Sequence, residues 1–356
     1  MDRVMAANFP GGAAVMRPAS DKVDRRSTRR VLAETGKGPV AAFPSEDSTA
    51  TASLRTRRSC VILNDGAGRD AGGSARRERL ARLLEAQGVT ADLRRVTRGR
   101  DLEQTARDCL DEGYGRLIAA GGDGTIAALA GVVHGAGAEL GILPEGTFNF
   151  FARGLGIPED QEAAVAVLRD GIVREVPIGT VNGRVFLNNA SLGVYPEILR
   201  EREGMYRRWG RSRLAAYGSV FSVLAGRQRP LDLAIRIDGA EVHLRTALAF
   251  VCNSAYQLRQ FGVDGSEAVE RGEFVLLTSR NESRFAMLRA ALRLALRRPR
   301  KAEDFDLRTG REIAIRPARR RNLLALDGER QALASPLQIR HAARPLRVIV
   351  PREASG

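Results

Sequence analysis

Lysine is almost absent from this 356-residue chain. Only Lys22, Lys37 and Lys301 occur among 57 basic residues, so a formal charge of +15 is carried by arginine. Arginine meets phosphate through a planar fork, which leaves anionic lipid, nucleotide and nucleic acid as chemical partners. Aromatic residues make up only 5% of the chain, too few for the base-stacking platforms of single-strand binders, and nucleic acid is disfavoured. Cys60, Cys109 and Cys252 are scattered and odd in number, which excludes a disulfide framework and favours a reducing cytoplasm. His134, His243 and His341 are equally dispersed, so zinc is not expected. There is no run of about 18 apolar residues to span a bilayer, and no apolar signal region is apparent at the N-terminus.

Glycine, in contrast, is placed with purpose. Leu117-Ile118-Ala119-Ala120 runs into Gly121-Gly122-Asp123-Gly124-Thr125 and out into Ile126-Ala127-Ala128-Leu129-Ala130, which predicts strand, tight turn and helix. Glycines let the backbone turn and bring N–H groups close to an anion, and the helix start adds free amides and the positive end of its dipole. An acid inside such a loop would repel phosphate unless a metal or a proton transfer is involved, so Asp123 points to a nucleotide bound with Mg²⁺. A second strand, turn and helix start follows at Gly141-Ile142-Leu143-Pro144-Glu145-Gly146-Thr147-Phe148-Asn149-Phe150-Phe151-Ala152-Arg153.

The two stretches, in this order and at this distance, resemble the diacylglycerol kinase catalytic family, which includes bacterial lipid kinases and sphingosine kinases. The resemblance runs from about Cys60 to the C-terminus. It implies an NAD kinase-like α/β nucleotide-binding domain with a parallel sheet, followed by a β-rich acceptor domain. The expected division is a disordered basic tail over 1–57, the α/β domain over 58–160 and the β-rich domain over 161–352. The alternation before residue 160 independently predicts a parallel sheet with the glycine turns at its carboxyl edge. Strand-like segments dominate after Val173: Val173–Val181, Val185–Asn189, Leu231–Ile237, Val242–Cys252, Phe274–Thr278, Glu312–Ile315, Leu323–Leu326, Leu337–Arg340 and Leu346–Val350.

The activity implied is transfer of the ATP γ-phosphoryl group to a lipid hydroxyl such as that of diacylglycerol, within phospholipid biosynthesis, with ATP and Mg²⁺ as cofactors. By the resemblance, Asn64, Gly68, Thr97, Gly121, Gly122, Asp123, Gly124, Thr125, Ile126 and Thr147 contact the nucleotide, and Asp123 holds the metal. Leu326-Asp327-Gly328-Glu329 matches the family's D-G-E segment and makes Glu329 the first choice of proton acceptor and Asp327 the second; Asp-Gly by itself is a hairpin turn. Asn188-Asn189-Ala190-Ser191-Leu192-Gly193 also resembles a recurring family segment. Members often carry N-D-F-A where this chain has Asn149-Phe150-Phe151-Ala152, and an acidic metal-binding segment where it has Glu270-Arg271-Gly272-Glu273.

Two basic stretches bear on partners. Tyr206–Arg211 is one. The other, Arg284 to Arg298, predicts a helix with Arg289, Arg293 and Arg297 beside a stripe of Phe285, Leu288, Leu292 and Leu296, a pattern shared by interfacial helices and by surface helices packed on a sheet. The expected partners are a lipid substrate and, peripherally, the anionic inner surface of the cytoplasmic membrane; a homodimer is left open. The alternatives are an NAD kinase-like enzyme with a soluble acceptor and a non-catalytic nucleotide or lipid sensor. Asp101-x-x-Gln104 predicts a capping box.

Overall fold

The computed structural model describes residues 57–65, 73–199, 201, 230–280, 284–295, 304–318 and 321–352, all within the compact unit Ser48–Gly356. The expected tail before Arg57, Gly68, the Tyr206–Arg211 stretch, Leu296 and Arg297 lie outside the described residues, as does the side chain of Phe285.

Buried apolar runs build the first sheet: β1 (Ser59–Asn64), β3 (Arg116–Gly121) and β4 (Glu139–Pro144) are buried along their whole length, the signature of strands covered on both faces. With β2 (Asp92–Val96), β5 (Ile172–Val176) and β18 (Leu346–Val350), the order is β2-β1-β3-β4-β18-β5. Helices α1 (Gly73–Ala86) and α5 (Gln161–Asp170) cover one face through Leu80, Leu84, Val165 and Leu168. Helices α2 (Leu102–Asp111) and α3 (Asp123–Ala136) cover the other through Leu102, Ala106, Ile126 and Leu129. Pairing is parallel from β2 to β18, but β5 runs antiparallel on β18, so the expected parallel sheet is mixed at one edge. A division at 160/161 separates α5, β5 and β18 from the sheet they complete.

The remaining strands form two antiparallel sheets packed face to face. One has the order β10-β9-β14-β17-β6-β7 and the other β13-β12-β11-β8-β15-β16. Their ranges are β6 Gly179–Val181, β7 Arg184–Phe186, β8 Asn189–Gly193, β9 Leu231–Ile237, β10 Ala240–Thr246, β11 Leu248–Cys252, β12 Phe274–Ser279, β13 Phe305–Gly310, β14 Ile313–Pro317, β15 Arg321–Leu326, β16 Glu329–Ala334 and β17 Leu337–His341. Phe186, Leu192, Ile235, Val251, Leu276, Ile315, Leu324 and Ile339 fill the space between them.

Three predicted strands are divided, each with a local cause. Val173–Val181 breaks at Pro177, which cannot donate to a ladder; the chain leaves the first sheet there. Val185–Asn189 breaks where the N–H groups of Leu187 and Asn188 turn to a carboxylate, that of Asp327. Val242–Cys252 breaks at Thr246, whose Oγ1 bonds the carbonyls of Leu248 and Ser279 as the chain crosses from one sheet to the other. The capping box at Asp101 does not form either: a 3₁₀ turn, Gly99–Asp101, precedes α2, and the Asp101 side chain caps nothing.

Candidate active site

The first glycine turn leaves β3 at the carboxyl edge of its sheet, with no room for side chains. A Cβ on Gly121 would lie 2.5 Å from Thr125 Oγ1, and one on Gly122 would lie 3.1 Å from the Gly146 Cα. The two glycine turns are therefore in backbone contact, joined by a 2.9 Å bond from the Glu145 N–H to the Gly121 carbonyl. Asn64, at the end of β1, donates from Nδ2 to Thr125 Oγ1 at 2.9 Å, and both residues are buried. That bond uses the Thr125 hydroxyl as an acceptor and leaves its own proton to donate. Ile126 is fully buried and apolar, so it can contribute only backbone. Thr97, just past β2 on the same sheet edge, and Thr147, in the second turn, are exposed.

The second turn is held by residues whose roles the sequence did not disclose. Asn149, in left-handed backbone at φ 49°, is the N-cap of α4 (Phe150–Gly154). Its Oδ1 accepts from the Gly146 N–H at 2.8 Å while Nδ2 donates to Glu159 at 2.9 Å. Glu145 is buried between Arg76 of α1, with which it forms an ion pair, and Gln161, whose Nε2 donates to it at 2.7 Å. Arg76 also donates to the Asn64 carbonyl at 3.0 Å, joining α1, β1 and the second turn. Asn149 and Glu145 sit inside a stretch that reads as a motif; Arg76 sits in an arginine-rich run and carries no distinguishing signal.

Three acids meet at the start of α3. Asp123 Oδ1 accepts from the Phe151 N–H at 3.4 Å and faces the backbone N–H groups of Asn149 and Phe150. Burial raises its pKa and these donors oppose the rise. Asp327, at φ 48° in the β15–β16 hairpin, accepts from the N–H groups of Leu187, Asn188 and Asn189 at 2.6, 2.7 and 3.1 Å. Burial nevertheless pushes its pKa up to about 6, with the charge of Asp123 adding to the rise. Glu329 is exposed, and its Oε1 lies 3.0 Å from where a Cβ on Gly124 would stand. The three candidate catalytic acids thus gather around the first glycine turn from two different parts of the chain. Beside them, Asn189 Nδ2 donates to Gln257 Oε1 at 3.2 Å, bringing in α6 (Ala255–Phe261). No group of three or more Cys, His, Asp or Glu suited to a metal occurs among the described residues.

The predicted arginine helix forms as α7 (Arg284–Ala295), but one of its arginines turns inward. Arg293 Nε donates to Asp304, a fully buried carboxylate, at 2.9 Å. Leu288 packs on Val194, Ile198 and Ala247, while Arg289 and Leu292 face solvent. The helix is thus anchored to the protein at Leu288 of the apolar stripe and Arg293 of the arginine stripe. Among the described residues no helix is long and apolar enough to cross a membrane.

Residues 58–181 match the family model of the diacylglycerol kinase catalytic domain. A YegS-like lipid kinase of Pseudomonas aeruginosa is 41% identical over 128 residues, which is 35% of this chain and 42% of that protein. The chain thus spans less than half the length of that relative in the match. The diacylglycerol kinase of Bacillus subtilis is 28% identical over 308 residues, covering 83% of this chain and 97% of the Bacillus protein. A diacylglycerol kinase structure from Bacillus anthracis shares the fold with a TM-score of 0.59 at 17% identity, over 83% of this chain and 97% of that one.

Proposed function

From the match of residues 58–181 to the family model of the diacylglycerol kinase catalytic domain, we propose that the protein is an ATP-dependent lipid kinase acting peripherally at the cytoplasmic face of a membrane. The observation that carries this reading is the convergence of Asp123, Asp327 and Glu329 on the first glycine turn. Phosphoryl transfer is mostly positioning and charge neutralisation. The backbone of 121–126, at the start of α3, supplies amides for the phosphates. The acceptor hydroxyl oxygen bonds to the γ-phosphorus as the bond to the β,γ-bridging oxygen breaks and ADP leaves. The hydroxyl proton passes to Glu329, a contribution of roughly 10²–10⁴-fold for a positioned base.

The donor set suits Mg²⁺, which binds through one or two carboxylates and substrate phosphates rather than in an all-protein cage. Asp123 is the residue to hold it, with Asp327 close enough to feel its charge. The bound ion would neutralise phosphate charge.

The deciding experiment incubates the protein with γ-labelled ATP, Mg²⁺ and a lipid panel in mixed micelles, beside Asp123→Asn. Labelled lipid phosphate that disappears in the variant is the expected result. Labelled NAD in place of labelled lipid would move the assignment to a soluble acceptor, and bound ATP without any transfer would make the protein a sensor.

A further inference from the structure

Three rings stand together beside the acids. Phe148 and Phe150 of the second glycine turn are stacked, with centroids 5.3 Å apart and planes within 6°. Phe150 also meets Phe261 of α6 at 5.7 Å and a 52° tilt. All three are only half-buried, whereas Phe151, Phe186 and Phe274 are buried in the core. The stack is tied to the site at both ends. The Phe150 backbone lies against the Asp123 carboxylate. At the other end, α6 places Gln257 on Asn189, whose own N–H binds Asp327.

We infer that Phe148, Phe150 and Phe261 form the wall that receives the apolar chain of the acceptor next to its reacting hydroxyl, and that Phe150 sets the acceptor's chain requirement; this rests on the lipid kinase reading above. Each methylene laid on a half-exposed aromatic wall leaves water, a gain that grows with the length of an apolar chain. Flat rings offer that area at small entropic cost, having few rotors to freeze.

The test measures kcat/KM for diacylglycerols and N-acyl amino alcohols with two-, four- and eight-carbon chains, in the full chain and in Phe150→Asp, Phe261→Ala and Phe150→Leu. In the wild type kcat/KM should climb with chain length. Phe150→Asp and Phe261→Ala should flatten the climb, with a loss of about tenfold at eight carbons, the equivalent of roughly two methylenes of contact, and a much smaller loss at two. Phe150→Leu, still apolar, should keep most of the slope. Equal losses at every chain length would mean that the rings only hold α4 against α6, and an unaltered slope would mean that the chain lies elsewhere; either overturns the inference alone. Transfer by the wild type to none of these acceptors would overturn the lipid kinase reading itself, and the inference with it.

Discussion

A carboxylate that accepts three backbone N–H bonds ordinarily titrates low; Asp327 does not, because burial outweighs its donors and lifts it from 3.8 to about 6. The consequence has a definite sign. The folded state holds the proton more tightly than the unfolded chain, so the stabilisation is fully present below about pH 4 and is lost as the pH rises through 6. Without nucleotide or Mg²⁺, the unfolding free energy of the wild type should fall relative to Asp327→Asn across that window and run parallel above it. Urea melts at stepped pH check this, and parallel curves throughout would refute it. Glu329 behaves differently, being exposed beside Gly124. Glu329→Gln should lower kcat by roughly 10²–10⁴ while leaving ATP affinity in place, as read by equilibrium binding. Both acids were legible in the sequence only through the D-G-E resemblance, since the residues alone spell a hairpin turn. That Asp327 also organises 187–189 was not legible, because the partners stand 138–140 residues apart in sequence.

The two glycine turns behave as one element. Backbone touches backbone at Gly122 and Gly146, and Asp123 faces the amides at the start of α4. Their spacing and flanking runs were open to reading from sequence, since period and glycine placement are local properties. The clamp beneath them was not: Arg76 and Glu145 are both nine-tenths buried and come from different helices and turns. Arg76→Met leaves Glu145 as a buried acid without its cation, at a cost of about 3–5 kcal/mol. Arg76→Met with Glu145→Gln should recover much of that, and a thermal-melt double-mutant cycle measures the difference. Gly121→Ala should prove severe for nucleotide binding, since its Cβ would fall 2.5 Å from Thr125 Oγ1.

At the scale of the molecule, the chain crosses between its two halves twice, once after β5 and again before β18. The last strand is thus not a terminal appendage. Leu346, Val348, Ile349 and Val350 are buried, and β18 lies between β4 and β5, inside the first sheet. Its entry is fixed by Glu139, a fully buried carboxylate reached by Arg116 at 2.8 Å, Arg347 at 3.0 Å and Arg57 at 3.4 Å. An apolar run such as Leu346–Val350 announces a strand but not its sheet, because strand pairing is decided by contacts distant in sequence; from sequence alone it therefore falls with the β-rich half. Because the first sheet is incomplete without β18, the two halves should unfold together. Val348→Ala should lower the stability of the whole unit by about 2 kcal/mol, with one calorimetric transition and equal calorimetric and van't Hoff enthalpies before and after the change. Two resolved transitions, only one of them shifted, would show that the antiparallel sheets fold without the sheet that carries the glycine turns.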